Sequence, residues 1–116
     1  MAHRIKRNAQ VPRDEWLSFF DDFAHDNAGR LITLETFGET VGDEQLAERV
    51  PLLSINYDPR DKGDVLRIAT GIREVEYEHR IASPKEVWVA DDQEGRDNAM
   101  EIIGENGDHT VVSFTQ

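Results

Sequence analysis

Hydrophobic positions along this chain follow two periods, one helical and short, the other alternating and long. Between Val11 and Gly29, Trp16, Phe20 and Phe23 fall at i, i+4 and i+7, the stripe of an amphipathic helix. Pro12 suits a first helical turn, Asp14 and Glu15 stand where the helix dipole favours anions, and Gly29 is a natural stop. That aromatic stripe has to be buried against the rest of the chain.

Beyond Gly29, short apolar runs alternate with turn signals, the pattern of an antiparallel meander rather than of βαβ units. Arg30 to Phe37 predicts a first strand with Ile32 and Leu34 facing the core, and Gly38 to Arg49 predicts a long polar connection that has room for a helical turn. Val50 to Tyr57 predicts a strand with Pro51 at its start, where a missing backbone donor is tolerated. After the turn Asp58 to Gly63, Val65 to Thr70 returns with Leu66 and Ile68 inward, and Gly71 permits the next reversal. From Glu74 to Ile81 the period is two, with Val75, Tyr77, His79 and Ile81 on one face and Glu74, Glu76, Glu78 and Arg80 on the other. Pro84 ends that strand, Val87 to Ala90 forms a short one around Trp88, and Asp91 to Asn98 reads as an exposed loop.

The last hairpin permits a sharper expectation. A two-residue turn at Asn106-Gly107 would set Met100 opposite Ser113 and split the apolar set between the two faces. A three-residue loop with Gly107 in the left-handed conformation instead pairs Gly104 with Asp108 and Met100 with Val112, so that Met100, Ile102, Val112 and Phe114 share one face. The three-residue form is therefore predicted. Even so, Ile103 and Val111 point to the other side, as do Leu31 and Phe37 on the first strand. Either sheet curvature closes that spare face, or a partner or second copy docks on it.

The fold class these elements predict is α+β: an N-terminal helix packed on a curved antiparallel meander of about seven strands, a half-barrel. Residues 11–116 form a single domain, preceded by a flexible basic tail over residues 1–10.

Charge sharpens this outline. The chain of 116 residues carries 24 acidic and 13 basic side chains, a formal net of −11. Arg4, Lys6, Arg7 and Arg13 all precede the first acid, Asp14, so residues 14–116 hold 24 acids against 9 bases. Such a body repels phosphate backbones and argues against nucleic acid, whereas a basic protein partner fits; solubility alone also accounts for it. With no cysteine, disulfides and thiol chemistry are ruled out. No apolar run reaches the roughly 18 residues that span a bilayer, and no signal-peptide core opens the chain, so a cytoplasmic protein without membrane contact is expected.

Candidate chemistry is sparse. Asp91 to Asp97 resembles a calcium loop, but Gln93 and Gly95 occupy ligand positions and Ile102 replaces the closing glutamate; Asp58 to Gly63 fails likewise, with Arg60 and Lys62. His3, His25, His79 and His109 show no metal half-site spacing, so neither metal nor cofactor is expected. Ser18, Ser54, Ser83 and Ser113 lack a nucleophile-elbow context. The Glu74, Glu76 and Glu78 row reads best as gatekeeping on an edge strand. Two readings remain: a non-enzymatic binding or structural module, as a homodimer through sheet surface or against a basic partner, and a small ligand-binding protein or enzyme with a helix–sheet pocket of several hundred Å³ at Tyr77 and His79. No catalytic residue is assigned.

Pro12-Arg13-Asp14-Glu15-Trp16 leading to Phe20 and Phe23, the strand Leu31-Ile32-Thr33-Leu34-Glu35, Pro51-Leu52, and the terminal segment Ala99-Met100-Glu101-Ile102 to Val112-Ser113-Phe114 resemble a family of small bacterial proteins of unknown function. The resemblance covers nearly the whole chain beyond the basic tail. It implies a shared single-domain fold and a bacterial origin, and brings with it neither an activity nor site residues.

Overall fold

The aromatic stripe is buried as its spacing requires. In the computed structural model, which describes residues 9–39, 42–91 and 97–114, a 3-10 turn at Arg13–Glu15 leads into helix α1, Trp16–Asn27. Pro12 thus caps the turn from outside it. Trp16, Phe20 and Phe23 are all buried, each contributing about 1.5–3 kcal/mol of apolar burial. Asn27 Nδ2 donates to the Phe23 carbonyl (2.8 Å), and Gly29, at φ +83°, releases the chain into the sheet.

Eight antiparallel strands make up that sheet among the described residues: β1 (Ala9–Gln10), β2 (Leu31–Gly38), β3 (Gly42–Asp58), β4 (Val65–Thr70), β5 (Tyr77–Ala82), β6 (Pro84–Asp91), β7 (Asp97–Gly104) and β8 (His109–Phe114). Their spatial order is β1-β6-β7-β8-β2-β3-β4-β5. Two meanders, β2 to β5 and β6 to β8, are therefore joined side by side through the β2–β8 ladder. Ser83 alone links β5, at one edge, to β6, near the other, which obliges the sheet to curl. Its amide donates to the Asp64 carbonyl (2.9 Å) and its carbonyl accepts from Glu105 N (3.0 Å). The result is a bent half-barrel, not a closed barrel.

Directly paired residues share a face. The concave face carries Ile32 opposite Phe114, Leu34 opposite Val112, and Met100 opposite both Val112 and Val89. Helix aromatics complete it, with Trp16 edge-on to Tyr57 (5.4 Å between centroids) and Phe23 against Phe114 (5.5 Å). The final hairpin adopts the expected three-residue form: Met100 pairs with Val112, Gly104 N donates to Asp108 O (3.0 Å), and Gly107 has φ +89°.

Four expectations fail. Of the predicted connection Gly38–Arg49, Gly38 ends β2 and residues 42–49 are the first half of the 17-residue β3, paired with β2 from Gly42↔Gly38 to Pro51↔Leu31. Backbone pairing makes it a strand, and its side chains stay polar because most of them are exposed. Pro51 sits inside β3, at the bend where the strand leaves β2 for β4; Arg49 there has φ +52°. β5 begins at Tyr77 rather than Glu74, leaving Val75 exposed in the preceding bends. Ala9 and Gln10, expected in the free tail, pair with Val89 and Trp88. The Asp91 to Asn98 loop lies largely outside the described residues, as do Met1 to Asn8.

Candidate functional site

The residues that most suggest a motif, Pro12-Arg13-x-x-Trp16, serve the fold. Arg13 Nη2 donates to the Pro84 carbonyl (2.7 Å), Nη1 donates to Tyr57 Oη (3.2 Å), and the guanidinium lies 4.2 Å over the Trp16 ring. Tyr57 Oη in turn donates to Asp64 Oδ1 (2.9 Å). Burial, and then this bond to Asp64, push the Tyr57 pKa up. Trp16 Nε1 donates to the Val11 carbonyl (3.0 Å), and Val11 N to the Val87 carbonyl (2.8 Å). One arginine thereby fastens the helix entry to β3, to Asp64 just before β4, and to the start of β6.

Towards the hairpin ends of the concave face, the side chains change character. Two rungs beyond Leu34 and Val112, on the same face, come Thr36 and Thr110, directly paired and both buried. Across the half-barrel, His79 of β5 brings Nε2 to within 3.3 Å of Thr110 Oγ1. These groups line a cavity of about 320 Å³, with Leu46, Ile81 and Ala82 as apolar wall and Glu44, Arg80 and Asp108 at its rim. Burial lowers the His79 pKa below its ordinary 6.5, so the ring is neutral at pH 7. The cavity therefore offers hydroxyls and an uncharged imidazole within, and charges of both signs at its edge.

His79 thus lines a cavity of the expected size, but the walls are strands and hairpins, with no residue of α1 among them. Tyr77 is not in the lining; it is exposed two residues before His79 on β5, its pKa raised by partial burial and by the Glu44 charge. Of the glutamate row only Glu78 lies in β5, which is the edge strand. Among the described residues no three His, Asp or Glu side chains converge as metal ligands, and no helix is long and apolar enough to cross a membrane.

Sequence reasoning missed a second histidine site on the convex face. His109 Nδ1 lies 2.6 Å from Oε2 of Glu101, and its ring stacks on Phe37 at 4.6 Å and 11°. Glu101 is only 4% exposed. Half of this constellation was available from the hairpin register: with Ile103 opposite His109, Glu101 is a diagonal neighbour on the same face. The other half was not, because Phe37 meets His109 only through the long-range β2–β8 ladder.

Comparison with known proteins agrees with a shared fold of unassigned activity. An uncharacterized protein of Aquifex aeolicus (strain VF5) is 29% identical over 102 residues, covering 88% of this chain and 86% of the relative. No solved structure matches. The family of unknown function DUF5335 matches residues 7–116, a span that takes in the Arg13 clasp, all eight strands and both histidine sites. By that match, the chain belongs to the DUF5335 family.

Proposed function

We propose that this protein is a non-enzymatic binding module that takes a small, uncharged polar ligand with an apolar flank into the mouth of the half-barrel. The supporting observation is convergence: two buried threonine hydroxyls and a neutral imidazole meet in a cavity of about 320 Å³ walled by Leu46 and Ile81. Barrel mouths and apolar cavities with a few oriented polar groups are where small ligands bind. The hydroxyls and imidazole both donate and accept, which suits an alcohol, ketone or amide group better than a fixed charge. Among the described residues His79 is held by Thr110 and by no carboxylate, so none of them primes it as a general base.

The test is a titration with a fragment set of neutral alcohols, ketones and amides, monitored by 1H–15N NMR and thermal shift. Binding fragments are expected to shift Thr36, His79, Ile81 and Thr110 together and to raise Tm, since a ligand specific to the folded state must stabilise it. Thr110→Val is expected to weaken them while leaving the fold intact. Fragments that bind only elsewhere, or bind Thr110→Val as well as wild type, would refute the assignment.

A further inference from the structure

The two margins of the sheet are unequal. β1 is two residues long, whereas β5 runs for six, Tyr77–Ala82, in unbroken register with β4 and without proline or lysine. An edge of that length and regularity is a template for another strand. Bonded and non-bonded rungs alternate along an antiparallel ladder. Ser83 N donates to the Asp64 carbonyl, just beyond the β5–β4 ladder, and Gly71 N, one residue past β4, donates to Pro51 O in β3. Both bonds set the same phase: Tyr77, His79 and Ile81 turn their backbone groups to β4, and Glu78, Arg80 and Ala82 turn theirs outward.

The outward rungs carry opposite charges. Glu78 and Arg80 are exposed, and neither forms an ion pair with another described residue. Arg80 stands directly opposite Arg67, whose guanidinium is held by Asp58 (2.6 Å), so the neighbouring strand offers Arg80 a like charge. Three of the four exposed large apolar side chains among the described residues also gather here, Tyr77 in the strand and Ile72 and Val75 just before it.

From this edge we propose that two copies of the chain pair through β5, antiparallel about a two-fold axis at His79, so that Glu78 of each copy stands opposite Arg80 of the other. Such an axis keeps each face of the sheet continuous and leaves only the centre to be chosen. Centred on Glu78 or on Arg80, the pair sets like charges face to face; centred on His79, it makes two Glu78–Arg80 rungs and no like-charge one. On the concave side, the same register sets the two His79 rings together, both uncharged through burial. It also brings Tyr77 of one copy beside Ile81 of the other, at the wall of the mouth cavity.

The experiment is analytical ultracentrifugation of the full chain up to sub-millimolar concentration, at physiological ionic strength, where the net −11 charges of two bodies are screened beyond about 8 Å. A concentration-dependent monomer–dimer equilibrium is expected. Glu78→Arg and Arg80→Glu, both at exposed positions, should each weaken dimerisation about tenfold, because the axis turns one substitution into two like-charge rungs. The double variant restores both pairs with the charges exchanged and should regain the wild-type dimer. In wild type, the amides of Glu78 and Arg80 should exchange more slowly as concentration rises. A chain that stays monomeric would overturn the proposal and leave the edge to an extended segment of another protein. A dimer that the double variant does not regain, or in which these two amides gain no protection, would overturn it as well. Thr110 takes no part in the pairing, so Thr110→Val should leave the dimer intact, and the result is independent of the ligand assigned to the mouth cavity.

Discussion

His109 and Thr110 are neighbours on β8 that point to opposite sides of the sheet, and each completes a contact with a histidine chemistry of its own. On the convex side a buried carboxylate and an aromatic ring hold His109; on the concave side a hydroxyl touches His79, whose burial keeps it uncharged. A period of two allows adjacent residues of one strand to serve two faces of different chemistry. The two faces also differ in what seals them, because α1 covers only the concave one.

That contrast can be broken at several levels. Trp16→Ala removes the ring that packs on Phe20 and Tyr57 and under Arg13, and is expected to cost about 3–5 kcal/mol in urea unfolding. A loss near zero would mean that the helix is not what seals the concave face. Glu101→Gln replaces a charge-assisted bond by a neutral one, with an expected loss of about 1.5–3 kcal/mol. Tyr57→Phe keeps the aromatic packing and deletes both hydroxyl contacts of the Arg13 clasp, for about 1 kcal/mol. Thr110→Val should cost about 0.5–1 kcal/mol, since His79 can turn to solvent for its hydrogen bond; equal losses for Glu101→Gln and Thr110→Val would erase the distinction between a charge-held and a hydroxyl-held histidine.

The smallest effect is on pH dependence. The folded-state pKa of His79 lies below its unfolded value of 6.5, so between the two the unfolded chain binds more protons. Its contribution to stability is complete above about pH 6.5 and is lost as pH falls towards the folded pKa. In unfolding curves from pH 8 to pH 5, wild type should therefore lose stability relative to His79→Leu on the acid side; parallel curves would show that His79 is not buried.

Much of this molecule is legible from local pattern. Trp16, Phe20 and Phe23 declare a helix face, and the Gly104 to Asp108 turn is readable because only one register keeps Met100, Ile102, Val112 and Phe114 together. The first half of β3 is not, because hydrophobic periodicity reports burial and these residues pair backbones without burying side chains. His79 was noticeable as a polar residue on an apolar face, whereas its contact with Thr110 depends on the curl that Ser83 imposes between distant edges. The role of Arg13 was hidden for the same reason: Tyr57, Asp64 and Pro84 are close to it only in three dimensions.

The β2–β8 ladder carries a consequence for how the molecule assembles. Within each meander, neighbouring strands are successive in the chain and can zip locally, but the six rungs from Ile32↔Phe114 to Phe37↔His109 join residues 72 to 82 positions apart. Closing so long a loop is entropically costly and slow, so this ladder belongs to the late steps of folding. Thr36↔Thr110 and Phe37↔His109 are themselves two of its rungs. The mouth cavity, lined from both meanders, does not exist in either one alone, so a ligand that bound there would act as a late-formed staple and protect amides of both halves from hydrogen exchange at once.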